Sequence, residues 1–133
     1  MKNINLITVI IALLISSCNS KKTSLCEGPN LDVKKLTGEW GVVSSKGGYY
    51  DGYTFIFENG LLKIGATSST VYNFEIVNAT LYTTNSERKE DTHSYCTELT
   101  DSTLILTEVF ASEKMKESKG GRQDLITLKR IGN

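Results

Sequence analysis

The apolar positions of this chain change period along its length. Ile4 to Ile15 is a nearly unbroken apolar run, interrupted only by Asn5 and Thr8. A small, polar stretch follows from Asn19 to Glu27. From Trp40 onward apolar and polar residues alternate with a period of two, the pattern of half-buried strands. The alternation predicts strands at 40–44, 53–57, 61–66, 70–77, 80–84, 92–99, 103–109 and 124–131. Between Pro29 and Leu36 there is room for one short helical turn. Asn30 is its candidate cap, and Leu31, Val33 and Leu36 are the side chains expected to pack beneath the sheet.

The connections decide how these strands assemble. Glu58-Asn59-Gly60 is the strongest hairpin signal, because a type I′ turn needs positive φ at both central residues. Asn78-Ala79 and Thr100 to Ser102 are also tight links. Ser45 to Gly52 holds three glycines and reads as a long mobile loop. Asn85 to Asp91 is charged, and Ala111 to Gln123 is either a long loop or a short frayed helix. Short links imply antiparallel neighbours, and no helical segment is long enough to cover a parallel sheet. The expected fold is therefore all-β: an eight-stranded antiparallel up-and-down barrel, preceded by a short helical turn. Closure leaves no open edges. Eight strands enclose an interior that holds side chains alone or one small ligand.

Composition narrows the function classes. The chain has 133 residues, which suits one small domain. Lys+Arg and Asp+Glu number 15 each, and this balance gives no electrostatic case for nucleic acid. The run ending at Ile15, at about 12 residues, is too short to span ~30 Å of hydrocarbon as a helix. It reads as the apolar core of a signal peptide with Lys2 as its basic flank.

Ile15-Ser16-Ser17-Cys18 directly follows and resembles a bacterial lipobox. The resemblance implies cleavage before Cys18 and acylation of its thiol and new amino terminus, palmitate included. More than one acyl chain is what stable anchoring requires. The expected division is 1–17 signal peptide, 18–30 lipidated flexible tether and 31–133 barrel domain. Asn19 after the cysteine is similar to outer-membrane sorting, and no acidic run of the surface-export kind follows. The expected location is the bacterial envelope, on a periplasm-facing outer-membrane lipoprotein, with the membrane as partner through Cys18.

With Cys18 acylated, Cys26 and Cys96 remain in an oxidising compartment, where pairing is expected. The other reading is two thiols that never meet. No C-x-x-C occurs and His93 is the sole histidine, so neither metal nor cofactor is expected. His93 reads as a solvated strand-end residue, and Glu90-Asp91 as part of a solvated charge run. No catalytic motif stands out, and an enzyme is not expected.

Gly38-Glu39-Trp40, Tyr53-Thr54-Phe55 with Glu58-Asn59-Gly60, the run Leu99 to Leu106, and the ending Leu128-Lys129-Arg130 together resemble a lipocalin-like (calycin) domain of the kind found on small Bacteroidetes lipoproteins. The likeness covers about Leu31 to Ile131. It implies that Trp40 closes one barrel end against Arg130. The chain lacks the C-terminal helix of true lipocalins. Two functional readings follow. In the first, Tyr53, Phe55, Phe57, Tyr72, Phe74, Leu81, Leu104 and Leu106 line a pocket for a small apolar or amphipathic molecule in a monomeric protein. In the second, these side chains fill the barrel and an exposed Tyr49-Tyr50 pair contacts an envelope protein, for example a hydrolase to be inhibited.

Overall fold

The computed structural model describes residues 22–132. Residues 1–17, expected as a signal peptide, and Cys18, expected to carry lipid, lie outside the described residues. Eight strands run in sequence: β1 (Gly38–Ser45), β2 (Thr54–Glu58), β3 (Leu61–Gly65), β4 (Ser69–Val77), β5 (Thr80–Asn85), β6 (Thr92–Leu99), β7 (Thr103–Glu108) and β8 (Leu125–Arg130). Each is antiparallel to the next, and β1 pairs with β8 to close an up-and-down barrel. The period-two pattern places these strands because each alternate side chain enters one interior. A bulge between Val42 and Ser44 shifts the β1–β8 register and turns Val43 outward. The β2–β3 turn has positive φ at both Asn59 and Gly60, 52° and 74°.

The two barrel ends differ. Short turns join β2–β3, β4–β5 and β6–β7 at one end. There α1 (Val33–Leu36) lies across the opening. Its cap is Asp32, whose side chain accepts from the Lys34 N–H, rather than Asn30. Asp32 stands directly before the first free amides, which Asn30 is too far upstream to meet. A single turn presents only one side to the barrel, so Leu36 is fully buried while Val33 is about half exposed, against the expectation that both pack. Trp40 is fully buried and its Nε1 donates to the Leu36 carbonyl at 2.9 Å. The Arg130 guanidinium lies 4.2 Å from the Trp40 ring centre. It also donates to the carbonyls of Asp101, Thr37 and Lys35. Trp40, Phe55, Phe57, Leu62, Leu81, Leu104, Leu106, Ile126 and Leu128 fill this half of the interior.

The stretch expected as a free tether is, from residue 22 on, laid along the outside of the barrel. Cys26 is bonded to Cys96 of β6, with Cα atoms 5.5 Å apart. The Leu25 N–H donates to Thr80 Oγ1 at 2.9 Å, and Thr80 is fully covered. The Leu31 N–H donates to the Asn78 carbonyl. Ser24 Oγ also lies 3.3 Å from Thr80 Oγ1, so backbone and side-chain groups of this stretch find partners on the barrel wall instead of water alone. Among the described residues, no helix is long and apolar enough to cross a membrane.

Candidate functional site, a polar cup at the long-loop end

The β1–β2, β5–β6 and β7–β8 connections, the long ones, all lie at the end opposite Trp40, joined there by the β3–β4 turn. Together with the upper strand ends they enclose an open cup of about 550 Å³. Its lining includes Tyr49, Tyr50, Tyr53, Ile64, Tyr72, Arg88, Glu90, Asp91, His93, Glu108, Lys119, Arg122 and Asp124.

The cup is built around His93. It is an inward residue of β6, stacked on Tyr95 with ring centres 6.0 Å apart and planes 15° apart. Nδ1 stands 2.7 Å from Glu108 Oε2 and Nε2 stands 3.0 Å from Asp91 Oδ1. With both carboxylates ionised, each ring nitrogen faces an acceptor, an arrangement satisfied when both carry hydrogen. Burial pushes the Glu108 carboxyl up. Hydrogen bonds from His93 and the Asp124 N–H, with the charges of His93 and Lys119, outweigh that and hold it below its ordinary value. Asp91 is likewise pushed up by burial and held down overall by Asn85, His93 and Tyr72. These bonds correct the reading of His93 and Asp91 as solvated groups. Both share the inward parity or strand-end position that turns them into the barrel.

A second cluster adjoins the first. Tyr50 packs edge-on against Tyr49, Tyr53 and Phe55, and its hydroxyl donates to Asp124 Oδ2 at 3.0 Å. Burial and the Asp124 carboxylate push this phenol well above its ordinary value. The Ser45–Gly52 loop is therefore anchored rather than mobile, and the Tyr50 N–H also donates to Ser45 Oγ. Arg122 donates to Asp124 Oδ1 through Nε and Nη2, and stacks 3.5 Å from the Tyr49 ring centre. Glu108 and Asp124 brace each other: the Asp124 N–H donates to Glu108 Oε1, and the Glu108 N–H to the Asp124 carbonyl.

The β7–β8 connection forms a strap over this cluster. It contains α2 (Glu113–Ser118), capped by Ser112, whose hydroxyl accepts from the Met115 N–H. Gly120 and Gly121, with φ of 69° and 73°, then reverse the chain. The reversal points Lys119 and Arg122 into the cup. Lys119 Nζ donates to the Thr92 carbonyl and lies 3.5 Å from Glu108 Oε2 and 3.4 Å from His93 Nδ1. Ligand atoms of His93, Glu108 and Asp124 all fall within 4.8 Å of one another, a grouping made by the fold from residues far apart in sequence. Lys119 and Arg122 supply positive charge to that grouping.

The predicted pocket residues separate into two sets. Tyr53 and Tyr72 line the cup. Phe55, Phe57, Leu81, Leu104 and Leu106 are fully buried in the filled half, and Phe74 packs edge-on against Phe57. Asp91, His93, Glu108, Lys119, Arg122 and Asp124 are the site residues that the sequence reading missed. Glu108 continues the inward alternation Leu104, Leu106, and that parity is the signal that could have found it.

Fold and site thus define a closed eight-stranded barrel, apolar at one end and carrying a charged, tyrosine-walled cup at the other. Compared with protein-family models, curated proteins and solved structures, the chain matches none of them.

Proposed function

We propose that this chain is an envelope lipoprotein, anchored through Cys18, whose lipocalin-like barrel binds one small amphipathic molecule in the cup. The open volume of about 550 Å³ above a filled core is the observation that carries this reading. It is of the size that small-molecule sites have. The lining argues for an amphipathic ligand over a purely apolar one, because covering charged groups with hydrocarbon strips them of water without return. Tyr53, Tyr72 and Ile64 offer surface to an apolar body, and the charged groups fix its polar end. All the long connections surround the cup, as expected where loops carry function on a rigid scaffold. The lipobox-like sequence and the Cys26–Cys96 bond both suit an oxidising envelope compartment. The protein-contact alternative needed an exposed tyrosine pair and a filled barrel. Tyr50 instead turns inward onto Asp124.

Native mass spectrometry of the full chain, extracted from membranes, tests both parts. The intact mass is expected to include acyl chains that Cys18→Ser lacks. A further non-covalent mass is expected, and it is lost in Tyr53→Ala and Tyr72→Ala. An unacylated wild type refutes the anchor. A bare barrel, or an adduct indifferent to both tyrosines, refutes the cup.

A further inference from the structure

The charges of the cup are distributed unevenly between wall and strap. Asp91, Glu108 and Asp124 are fixed to the wall, at the start of β6, the end of β7 and the residue before β8. The Glu108 and Asp124 side chains are only 3% and 7% exposed. A buried carboxylate is stable only with compensating charge and hydrogen bonds. On the wall, His93 faces Asp91 and Glu108, Arg88 lies near Asp91, and Tyr50, Tyr72, Asn85 and the Asp124 N–H supply hydrogen bonds. The remaining compensation comes from Lys119 and Arg122, both on the strap. The α2 helix of that strap has no buried residue, so these two side chains are its main attachment to the cup.

The place occupied by Lys119 Nζ is an acceptor socket. Two of its neighbours, the Thr92 carbonyl and Glu108 Oε2, can only accept from it. A carboxylate or phosphate placed there would face two oxygens and donate to neither. The other strap cation is paired with Asp124, and Arg88 at the rim lies 3.8 Å from Asp91. Glu90 lines the rim as a further acid. Four acids line the cup, Glu90, Asp91, Glu108 and Asp124, against Arg88, Lys119, Arg122 and the His93 ring, so the cup is left negative when Lys119 leaves it, and its tyrosine rings attract cations through their faces. A divalent metal at His93, Glu108 and Asp124 would have to expel two cations held in one strap, whereas an ammonium exchanges one for one with Lys119.

Resting on the cup reading above, we propose that Lys119 is an internal stand-in for the ligand, and that the ligand is an amphipathic cation. Its primary ammonium replaces Lys119 at Glu108 and Thr92, and its aromatic or aliphatic body lies along Tyr53 and Tyr72. Displaced, Lys119 swings out with the strap about Gly120–Gly121.

Calorimetric titration of the full chain in a neutral detergent, with 2-phenylethylamine, 2-phenylethanol and 3-phenylpropanoate as probes, tests this. The amine is expected to bind, the alcohol more weakly and the acid not at all. Lys119→Ala is expected to tighten amine binding about ten-fold, the factor that follows if Lys119 fills the socket nine-tenths of the time. Glu108→Gln keeps an acceptor for the Asp124 N–H and is expected to abolish amine binding while the barrel remains folded by circular dichroism. Equal or stronger binding of the alcohol or the acid to Lys119→Ala overturns the amine socket and leaves the cup reading standing. Zinc binding that needs His93, with no amine binding, overturns it in favour of a metal. A protein that binds no probe, and carries no non-covalent mass, overturns both readings.

Discussion

Replacing Glu108 tests whether the polar cluster is a structural cost or a support. Its carboxylate receives the His93 ring at 2.7 Å and the Asp124 N–H at 3.1 Å, with Lys119 at 3.5 Å. Glu108→Ala removes all three acceptor contacts and leaves the Asp124 N–H buried and unmet. One such donor costs about 1–3 kcal/mol. Breaking a buried charged pair by removing one partner costs about 3–5 kcal/mol. The two figures overlap, because the second already includes unmet donors, so the expected loss for Glu108→Ala is about 3–5 kcal/mol. Glu108→Gln keeps the size and one acceptor, and its expected loss is about 1–3 kcal/mol. Urea unfolding, followed by Trp40 fluorescence and circular dichroism, reads both. The pH dependence separates charge from packing. Glu108 and Asp91 are held below their ordinary values in the folded chain. A carboxyl of that kind adds its full stability above its unfolded value, about 4.3 for Glu, and loses it as pH falls through the lower folded value. The gap between wild type and Glu108→Gln is therefore complete at neutral pH and closes in acid below that range. A gap independent of pH, or a Glu108→Ala loss under about 0.5 kcal/mol, the scale of an ordinary surface change, would refute the reasoning.

Two further outcomes test the frame around the cup. Reducing Cys26–Cys96, or replacing Cys96 by Ala, opens a link between residues 70 positions apart. The chain-entropy account puts its stabilisation at about 4 kcal/mol. The urea midpoint should fall accordingly, and a change under about 1 kcal/mol would mean that the Leu25–Thr80 contact already holds the segment without the bond. Arg130→Leu removes three donations to carbonyls and the cation over Trp40. The expected loss is about 2–3 kcal/mol with a shifted Trp40 emission, and an unchanged spectrum at unchanged stability would sink the plug at that end.

The strands were legible because burial on one face enforces a period of two, and eight such runs with tight turns admit few arrangements. The Asn59-Gly60 turn was legible because its backbone demands those residue types. The α1 cap was misplaced by two residues since Asn30 and Asp32 are chemically equivalent caps, and only the point at which the helix begins, Val33, chooses between them. The cup was legible only in Tyr53 and Tyr72. Its charged members come from β5–β6, β6, β7 and the strap, spread between Arg88 and Asp124, and in sequence they are indistinguishable from solvated loop charges. Glu90 and Asp91 make the point: one is exposed at the rim, and its neighbour bonds His93.

Register supplies what composition could not. Read the inward stripes of β4 to β8 from the Trp40 end towards the cup and their character changes in the same direction. Leu104 and Leu106 lead to Glu108, Leu128 and Ile126 to Asp124, and Tyr95 to His93. Leu81 leads through Thr83 to Asn85, and Phe74 to Tyr72. A barrel that served only to be stable would have little reason to abandon apolar side chains at the same end of five stripes, because a buried polar network gains stability only when every member is satisfied. Here every buried side-chain polar atom among the described residues does have a partner. Several of those partners are strap side chains that an incoming ligand could replace. Lys119 and Arg122 are those side chains, so the polarity at this end of the barrel is met in the folded chain by its own strap.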